Sequence, residues 1–222
     1  MFSRFNMNGL SRSGTDLIAR INAPTSREMF DNFDEVRRDL ITRLTQAGND
    51  RKVPMHSAVV VTSDVDARVM VMREFDSAAW TLRFHTDARA PKVNAIDADP
   101  RVAVLFYDKA AKVQIRARGT GEVLRNAPVT QAAWDKSDNF ARRCYLGDGP
   151  GTLSDAPISG LPAEFEGVEP NDEQVIPARE NFAVLMVTLT ELDWFYLAHT
   201  GHVRAQFSRG EGNEWEGRWV SP

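Results

Sequence analysis

Lys112-Val-Gln-Ile-Arg-Ala-Arg-Gly-Thr-Gly-Glu-Val-Leu124 is the stretch on which the fold turns. Val113, Ile115 and Ala117 alternate with Gln114, Arg116 and Arg118, so an extended chain puts the apolar set on one face and the polar set on the other. Gly119 and Gly121 interrupt the alternation and predict a bulge or bend. The texture stays β-type on both sides of it. Upstream, Val102–Tyr107 is strongly apolar and is expected to be buried on both faces. Arg68–Glu74 and Trp80–Thr86 read as a hairpin pair around a polar link at Asp76–Ala78, and Ser57–Thr62 as a Val-rich strand closed by a turn at Asp64–Asp66. Downstream, Phe182–Leu197 is expected to bend or break near Asp193. Val203–Ser208 and Glu214–Val220 complete the set, with a turn at His199–Gly201 after the first.

Helical periodicity is confined to a few places. Thr25 and Glu28 stand three apart as a capping box after Pro24, ahead of an apolar stripe at Met29, Phe30, Phe33, Val36, Leu40, Ile41 and Leu44 that Gly48 closes. Pro91 opens a short helix reaching about Ala98, because its missing N–H would be unpaired in a first turn. Residues 127–145 read as a helix with Trp134 and Phe140 as anchors. Residues 146–178 hold Pro150, Pro157, Pro162, Pro170 and Pro177, several glycines and an acidic bias, and read as one long loop. Residues 1–24 lack periodicity and are expected to form a mobile arm, leaving 25–222 as a single domain. Seven or eight short strands with flanking helices predict a mainly β fold, a closed antiparallel barrel rather than an α/β sheet.

Composition bounds the function. The chain has 222 residues, 42% hydrophobic and 26% charged, ordinary for a globular protein. Its 27 basic and 31 acidic residues give a net charge of −4, which offers no global attraction to nucleic acid or an anionic membrane. Any anionic ligand must be held by a local basic cluster. One cysteine, Cys144, excludes an intramolecular disulfide and a cysteine-based zinc site. His199 and His202 stand three apart with no third ligand nearby, so no metal site is expected. No apolar run reaches the roughly 20 residues of a membrane-spanning helix, and Met1–Arg20 lacks the apolar centre of a signal peptide. A cytoplasmic protein is expected.

The chemistry concentrates in Arg68-Val-Met-Val-Met-Arg73 and Phe84-His-Thr-Asp-Ala-Arg-Ala-Pro-Lys92. An arginine at a strand start, then a threonine and an Arg/Lys pair opening a helix, gathers the cations and N–H donors that a phosphate monoester requires. Spacing alone leaves a second reading open, a solvated basic surface.

The order of these segments resembles the pyridoxamine 5′-phosphate oxidase-like, FMN-binding split-barrel family. The likeness covers roughly residues 55–125 and 182–222. It implies an antiparallel Greek-key split barrel and an FMN cofactor at the interface of a homodimer. In that family an Arg-x-x-x-x-Lys/Arg strand lies along the flavin, which implies cofactor contacts from Arg68, Val69, Met70 and Val71, with Arg73 near the substrate face. The family's Tyr-Thr pair is His85-Thr86 here. Its Ser-Arg-Lys phosphate grip becomes Ala90-Pro91-Lys92, with the arginine displaced to Arg89. Gln114 matches a glutamine that hydrogen-bonds the flavin, and a carboxamide can both donate and accept there. Trp194 and Arg204, ten apart, match a pair supplied by the second subunit.

The resemblance weakens on the substrate side. The family's Arg-x-His turn is Thr200-Gly-His202, so the arginine is missing while His202 remains a candidate substrate contact beside Arg73. Arg142, Arg143 and Ser154 are distant candidates for the family's mid-chain substrate grip. The expected function is an FMN-dependent oxidoreductase with an altered substrate site. The alternatives are a non-catalytic FMN store or sensor, or the same fold holding haem or a deazaflavin.

Overall fold

The computed structural model describes residues 30–222. The expected arm at 1–24 and the capping box at Thr25 and Glu28 lie outside the described residues. Helix α1 (Phe33–Asn49) starts instead at an Asn32 cap, whose side chain accepts from the Glu35 N–H at 3.0 Å. Val36, Leu40, Leu44 and Ala47 form its buried face; the first three belong to the expected stripe, whereas Phe30 precedes the helix and Met29 lies outside the described residues.

Eight strands follow among the described residues: β1 (Ser57–Thr62), β2 (Ala67–Asp76), β3 (Thr81–Asp87), β4 (Arg101–Asp108), β5 (Val113–Leu124), β6 (Phe182–Tyr196), β7 (Val203–Arg209) and β8 (Trp215–Trp219). Their order is β3-β2-β1-β4-β5-β6-β7-β8, with every pairing antiparallel and β3 also pairing with β6. That last contact closes β1–β6 into a six-stranded barrel, and β7–β8 continue as a flap from the far half of β6. The 3-2-1-4 run is a Greek key. The barrel fills with Val60, Met72, Leu82, Phe84, Phe106 and Ile115, none more than 1% exposed.

Strand β6 serves both parts because it is long and β5 bends along it. The register shifts between Arg118 and Gly119, where the sequence predicts a bulge. A Cβ on Gly119 would stand 1.9 Å from the Thr188 carbonyl oxygen, so only glycine lets the backbones approach this closely. The break expected near Asp193 does not occur. β6 runs unbroken to Tyr196, because Asp193 is satisfied by side-chain donors on its two neighbouring strands. Val102–Tyr107 also departs from expectation. Val102, Val104 and Phe106 are buried, whereas Tyr107 is 49% exposed and Leu105 half-buried, so one apolar face of β4 looks outward.

Helix α2 (Pro91–Ala98) follows β3 as expected. The helix expected over 127–145 is interrupted. It divides into α3 (Pro128–Asp135), a link at Lys136–Asp138, the short α4 (Asn139–Arg142) and a 3-10 turn (Arg143–Tyr145). Asp138 causes the break, since its carboxylate caps the second segment by accepting from the Ala141 N–H at 2.7 Å. The segment after it is mainly loop, with α5 (Asp172–Val175) and a 3-10 helix (Ile176–Asn181) at its end. It is tied down by Arg143, which is buried and donates to the Phe165 and Val168 carbonyls at 2.7 Å each. No described helix is long and apolar enough to cross a membrane.

Candidate functional site

Strand parity sorts the sequence-derived residues before any contact is considered. Paired residues share a face, so Val69, Val59, Leu105, Arg116, Asp193 and Gln206 form one row across the outside of the sheet. Val71 lies beside Ser57, and Tyr107, Gln114, Phe195 and Arg204 form a parallel row. The outer surface therefore has an apolar half, with Val69 67% and Val71 37% exposed, and a charged half around Asp193.

At the start of β2 the structure brings Arg68 and Lys92 together. The Arg68 guanidinium donates to the Thr62 hydroxyl at 3.0 Å and the Val60 carbonyl at 3.4 Å, and it pairs with Asp66. Lys92, in the first turn of α2, is half-buried. Burial first, and the Arg68 charge second, hold its ammonium below the ordinary lysine pKa; Asp87 and Asp66 pull the other way. Guanidinium and ammonium donors of this kind suit a phosphate monoester, with Asp66 and Asp87 as the anions that already accompany them. Val69 and Val71, exposed on the same strand, offer an apolar wall beside it. Met70 points inward and is buried.

Arg89 is otherwise engaged. Its guanidinium grips Asp87 through Nε at 3.0 Å and an Nη at 2.7 Å, and donates to the Gly147 carbonyl at 3.0 Å. It stitches the end of β3 to the 146–181 segment rather than facing Lys92 alone. Thr86 is buried, with its hydroxyl on the Asp87 carbonyl.

Gln114 and Arg204 lie on the charged half, and Phe195 stands between them in the same row. Three strand steps, β2 to β1 to β4 to β5, separate Gln114 from Val71. At 4.7–4.9 Å per step that is about 14 Å. Within one protomer these residues cannot share a small ligand's headgroup with Arg68 and Lys92. Asp193 organises them: it accepts from Arg116 at 2.6 Å, from Arg204 at 2.7 Å and from Gln206 at 2.7 Å. Burial alone would raise its pKa, but the hydrogen bonds from Arg204, Gln206 and Arg116 outweigh it and hold the carboxyl below the usual range.

Trp194 does not reach this surface. Its side chain points into the barrel with no exposure, its indole N–H donates to Asp39 at 2.7 Å, and its ring lies edge-on to Phe30 at 4.5 Å. Parity decides this, because Asp193 and Phe195 face outward and Trp194 must face inward.

The two candidate substrate contacts are also far apart. His202 is exposed beside Phe195, in an open cleft with Arg204 and Trp219. Arg73 instead enters a separate cavity of about 290 Å³ with Arg51, Arg83, His85, Lys136, Ser137, Asp138, Cys144 and Tyr145. His85 sits at its base. Burial first, then the Arg73 and Arg83 charges, push its imidazole down to about 4, so it is neutral at pH 7. Arg73 Nε, Arg83 Nε and His85 Nε2 are buried without a hydrogen-bond partner. Such orphaned groups each cost about 1–3 kcal/mol. The distant candidates for a mid-chain grip do not enter the cavity. Arg142 covers the Trp134 ring and its carbonyl, Arg143 holds the loop, and Ser154 is exposed.

Sequence reasoning overlooked Arg83, Arg51, Lys136 and Asp193. Arg83 was detectable, since it shares a face with His85 two residues on. Arg51 and Lys136 carry no periodic signal and join the cavity only through tertiary structure. Among the described residues no cluster of three His, Cys, Asp or Glu side chains is placed to hold a metal.

Comparison with known proteins bears on the fold and on the family resemblance. Residues 38–125 match the family described as pyridoxamine 5′-phosphate oxidase, FMN-binding domain. Over 96 residues the chain is 31% identical to the pyridoxine/pyridoxamine 5′-phosphate oxidase of Caulobacter vibrioides, covering 41% of this chain and 40% of that protein. The match thus spans well under half of the curated relative. A pyridoxamine 5′-phosphate oxidase-related, FMN binding protein from Nostoc punctiforme superposes with a TM-score of 0.66 at 22% identity, covering 84% of this chain and 97% of that one. PhzG from Burkholderia lata, solved with tetrahydrophenazine-1-carboxylic acid, gives a TM-score of 0.57 at 14% identity, covering 90% and 98%. The two structures establish the split-barrel fold. The matched segment bears out the resemblance of this chain to the pyridoxamine 5′-phosphate oxidase-like, FMN-binding proteins.

Proposed function

We propose that this chain is an FMN-dependent oxidoreductase acting as a cytoplasmic homodimer, with a substrate site unlike that of the pyridoxamine phosphate oxidases. The observation that carries the reading is the pairing of Arg68 with half-buried Lys92 at the end of a strand whose outer face is exposed valine. These two cations would hold the phosphate, and Val69 and Val71 would line the flat ring system. FMN would supply two-electron redox chemistry, while the protein's part is to bind, orient and exclude water.

The dimer is supported by the separation of the site residues. Gln114, Phe195 and Arg204 share an outer surface with Val69 and Val71 but stand too far from Arg68 to meet the same ligand in one protomer. A two-fold partner would bring its own Gln114 and Arg204 to that ligand and cover the apolar half of the sheet. Asp193 would pre-orient Arg204 for this contact. Trp194 is left out, since its side chain is in the core, and Phe195 is the aromatic that would face the partner.

The test is the absorbance spectrum of the purified protein, followed by FMN titration. Lys92→Gln removes one charge-assisted contact of about 1.5–3 kcal/mol and should weaken FMN roughly 10- to 150-fold. Colourless protein that takes up no FMN would refute the reading, and a haem or deazaflavin spectrum would replace the cofactor. Thr200, where the resemblance expects a substrate-binding arginine, favours a second reading, a non-catalytic FMN-binding dimer. Bound flavin without turnover with amines, quinones or nicotinamide donors would establish that version.

A further inference from the structure

Asp87, the last residue of β3, is buried, and its charge acts on Lys92 together with those of Arg68 and Asp66. An unbalanced carboxylate at this point would work against a phosphate seat, because it attracts the Lys92 ammonium and repels a phosphate dianion. Arg89 balances it. The guanidinium forks onto both carboxylate oxygens, at 3.0 and 2.7 Å, and the Arg89 backbone N–H donates to the same group at 2.8 Å. Asp66 is paired with Arg68. Arg68, Lys92 and Arg89 set against Asp66 and Asp87 leave one positive charge in excess, and without Arg89 there is none.

Arg89 is itself held on the loop side of Asp87. The acidic groups acting on it are Asp87, Asp148 and Glu180, so Asp87 is the carboxylate it shares with Lys92. An Nη donates to the Gly147 carbonyl at 3.0 Å, and a Cβ on Gly149 would lie 3.4 Å from the Arg89 Cβ, so the loop runs along the stem of the arginine. From the other end of the same segment, the Asn181 carbonyl accepts from the Ala88 N–H at 2.7 Å. The turn between β3 and α2 is thus gripped by both ends of the 146–181 segment.

We infer that Arg89 is a positioning residue for the phosphate seat: it neutralises Asp87 and so leaves the Lys92 ammonium free for the anion, without touching the anion itself. The 146–181 segment holds it in that role. The resemblance would put Arg89 on the phosphate; its fork onto Asp87 replaces that contact. The inference rests on the reading of Arg68 and Lys92 as the seat of a cofactor phosphate.

Titration of the full chain with FMN, riboflavin and inorganic phosphate tests it, in the parent, Arg89→Gln, Arg89→Lys and the double variant Arg89→Gln/Asp87→Asn. Arg89→Gln should weaken FMN at least tenfold and riboflavin, which has no phosphate, less than twofold. Arg89→Lys keeps the charge and should stay within threefold of the parent. The double variant removes the carboxylate charge together with its counter-ion, while asparagine still accepts from the N–H of residue 89. Its FMN affinity should return to within threefold of the parent. Should Arg89→Gln fail to fold with Asp87 unpaired, the double variant carries the comparison. A double variant more than threefold weaker than the parent would overturn the inference and mean that Arg89 touches the phosphate. Unchanged FMN affinity in Arg89→Gln, or equal losses of FMN and riboflavin, would also overturn it. If the parent takes up no FMN, the same pattern read with inorganic phosphate, as a shift in melting temperature, would keep the role of Arg89 and sink the flavin reading. No response to either probe would sink both.

Discussion

Replacing Asp193 by asparagine keeps the shape of the side chain and removes the charge at the centre of the outer network. The wild-type carboxylate takes hydrogen bonds from Arg116, Arg204 and Gln206, and its side chain is only 11% exposed. Two of these donors are charged, and such bonds contribute about 1.5–3 kcal/mol each when buried. Arg116 is 43% exposed, so solvent screens its share, and burying the carboxylate costs part of the rest. Asparagine retains one acceptor oxygen. The expected net loss is about 2 kcal/mol at pH 7, or roughly 4–8 °C in Tm for a chain of this size. The pH dependence carries the sharper test. A carboxyl whose folded pKa lies below its unfolded value of about 3.9 stabilises fully above that value, and the benefit disappears as pH falls through the folded pKa. The wild-type advantage over Asp193→Asn, measured by urea denaturation at one protein concentration, should therefore hold from pH 8 to pH 5 and shrink below about pH 4. Other acid-sensitive groups are common to both proteins and cancel in the difference. An advantage independent of pH, or one below about 0.5 kcal/mol at pH 7, would refute the account of Asp193 as the charge that organises this face.

Trp194→Phe should cost about 1–3 kcal/mol through loss of the indole bond to Asp39, while leaving FMN affinity within twofold; a large loss of flavin would return Trp194 to the cofactor site. Gly119→Ala forces a methyl group onto the Thr188 carbonyl and should destabilise the chain by at least about 3 kcal/mol, seen as a lower urea midpoint or loss of soluble protein. His85, neutral in the fold and about 4 in pKa, makes folding less favourable as pH drops from about 6.5 towards 4, because the unfolded chain takes up the proton first. His85→Gln should remove up to roughly 3 kcal/mol of that acid sensitivity, read from denaturation midpoints at pH 7 and pH 4.5. Arg204→Ala should weaken FMN without unfolding the chain, and unchanged affinity would count against a site shared between subunits.

Strand alternation made the barrel legible. Lys112–Leu124 announced its two faces and its bend, and Ser57–Thr62 and Pro91–Ala98 lie where the pattern places them. Two features escaped because they depend on partners distant in sequence. A run as apolar as Val102–Tyr107 reads as doubly buried, and nothing local says that Leu105 and Tyr107 face outward. Asp193 looks like a strand breaker until Arg116, 77 residues earlier, and Arg204, 11 later, are folded against it. At the site, the nearness of the Arg68 charge to Lys92 was readable from the order of the segments. The inward turn of Trp194 follows from alternation with Asp193 and Phe195, a parity that matching by spacing alone does not register. The cavity around Arg73 was the least legible, because its walls come from four places along the chain.

The closing contact of the barrel sets an order of events during synthesis. β3 is complete by residue 87, but its second neighbour, Phe182–Thr188, emerges about a hundred residues later. Until then the nascent sheet has two open margins, β3 and β5, each with unpaired N–H and C=O groups facing water or another chain. The loop between β5 and β6 must be crossed before either margin is covered, so closure is a slow, long-range step. A chain stopped short of Phe182 keeps both margins and is poised to aggregate, whereas one that reaches Tyr196 seals both with a single strand.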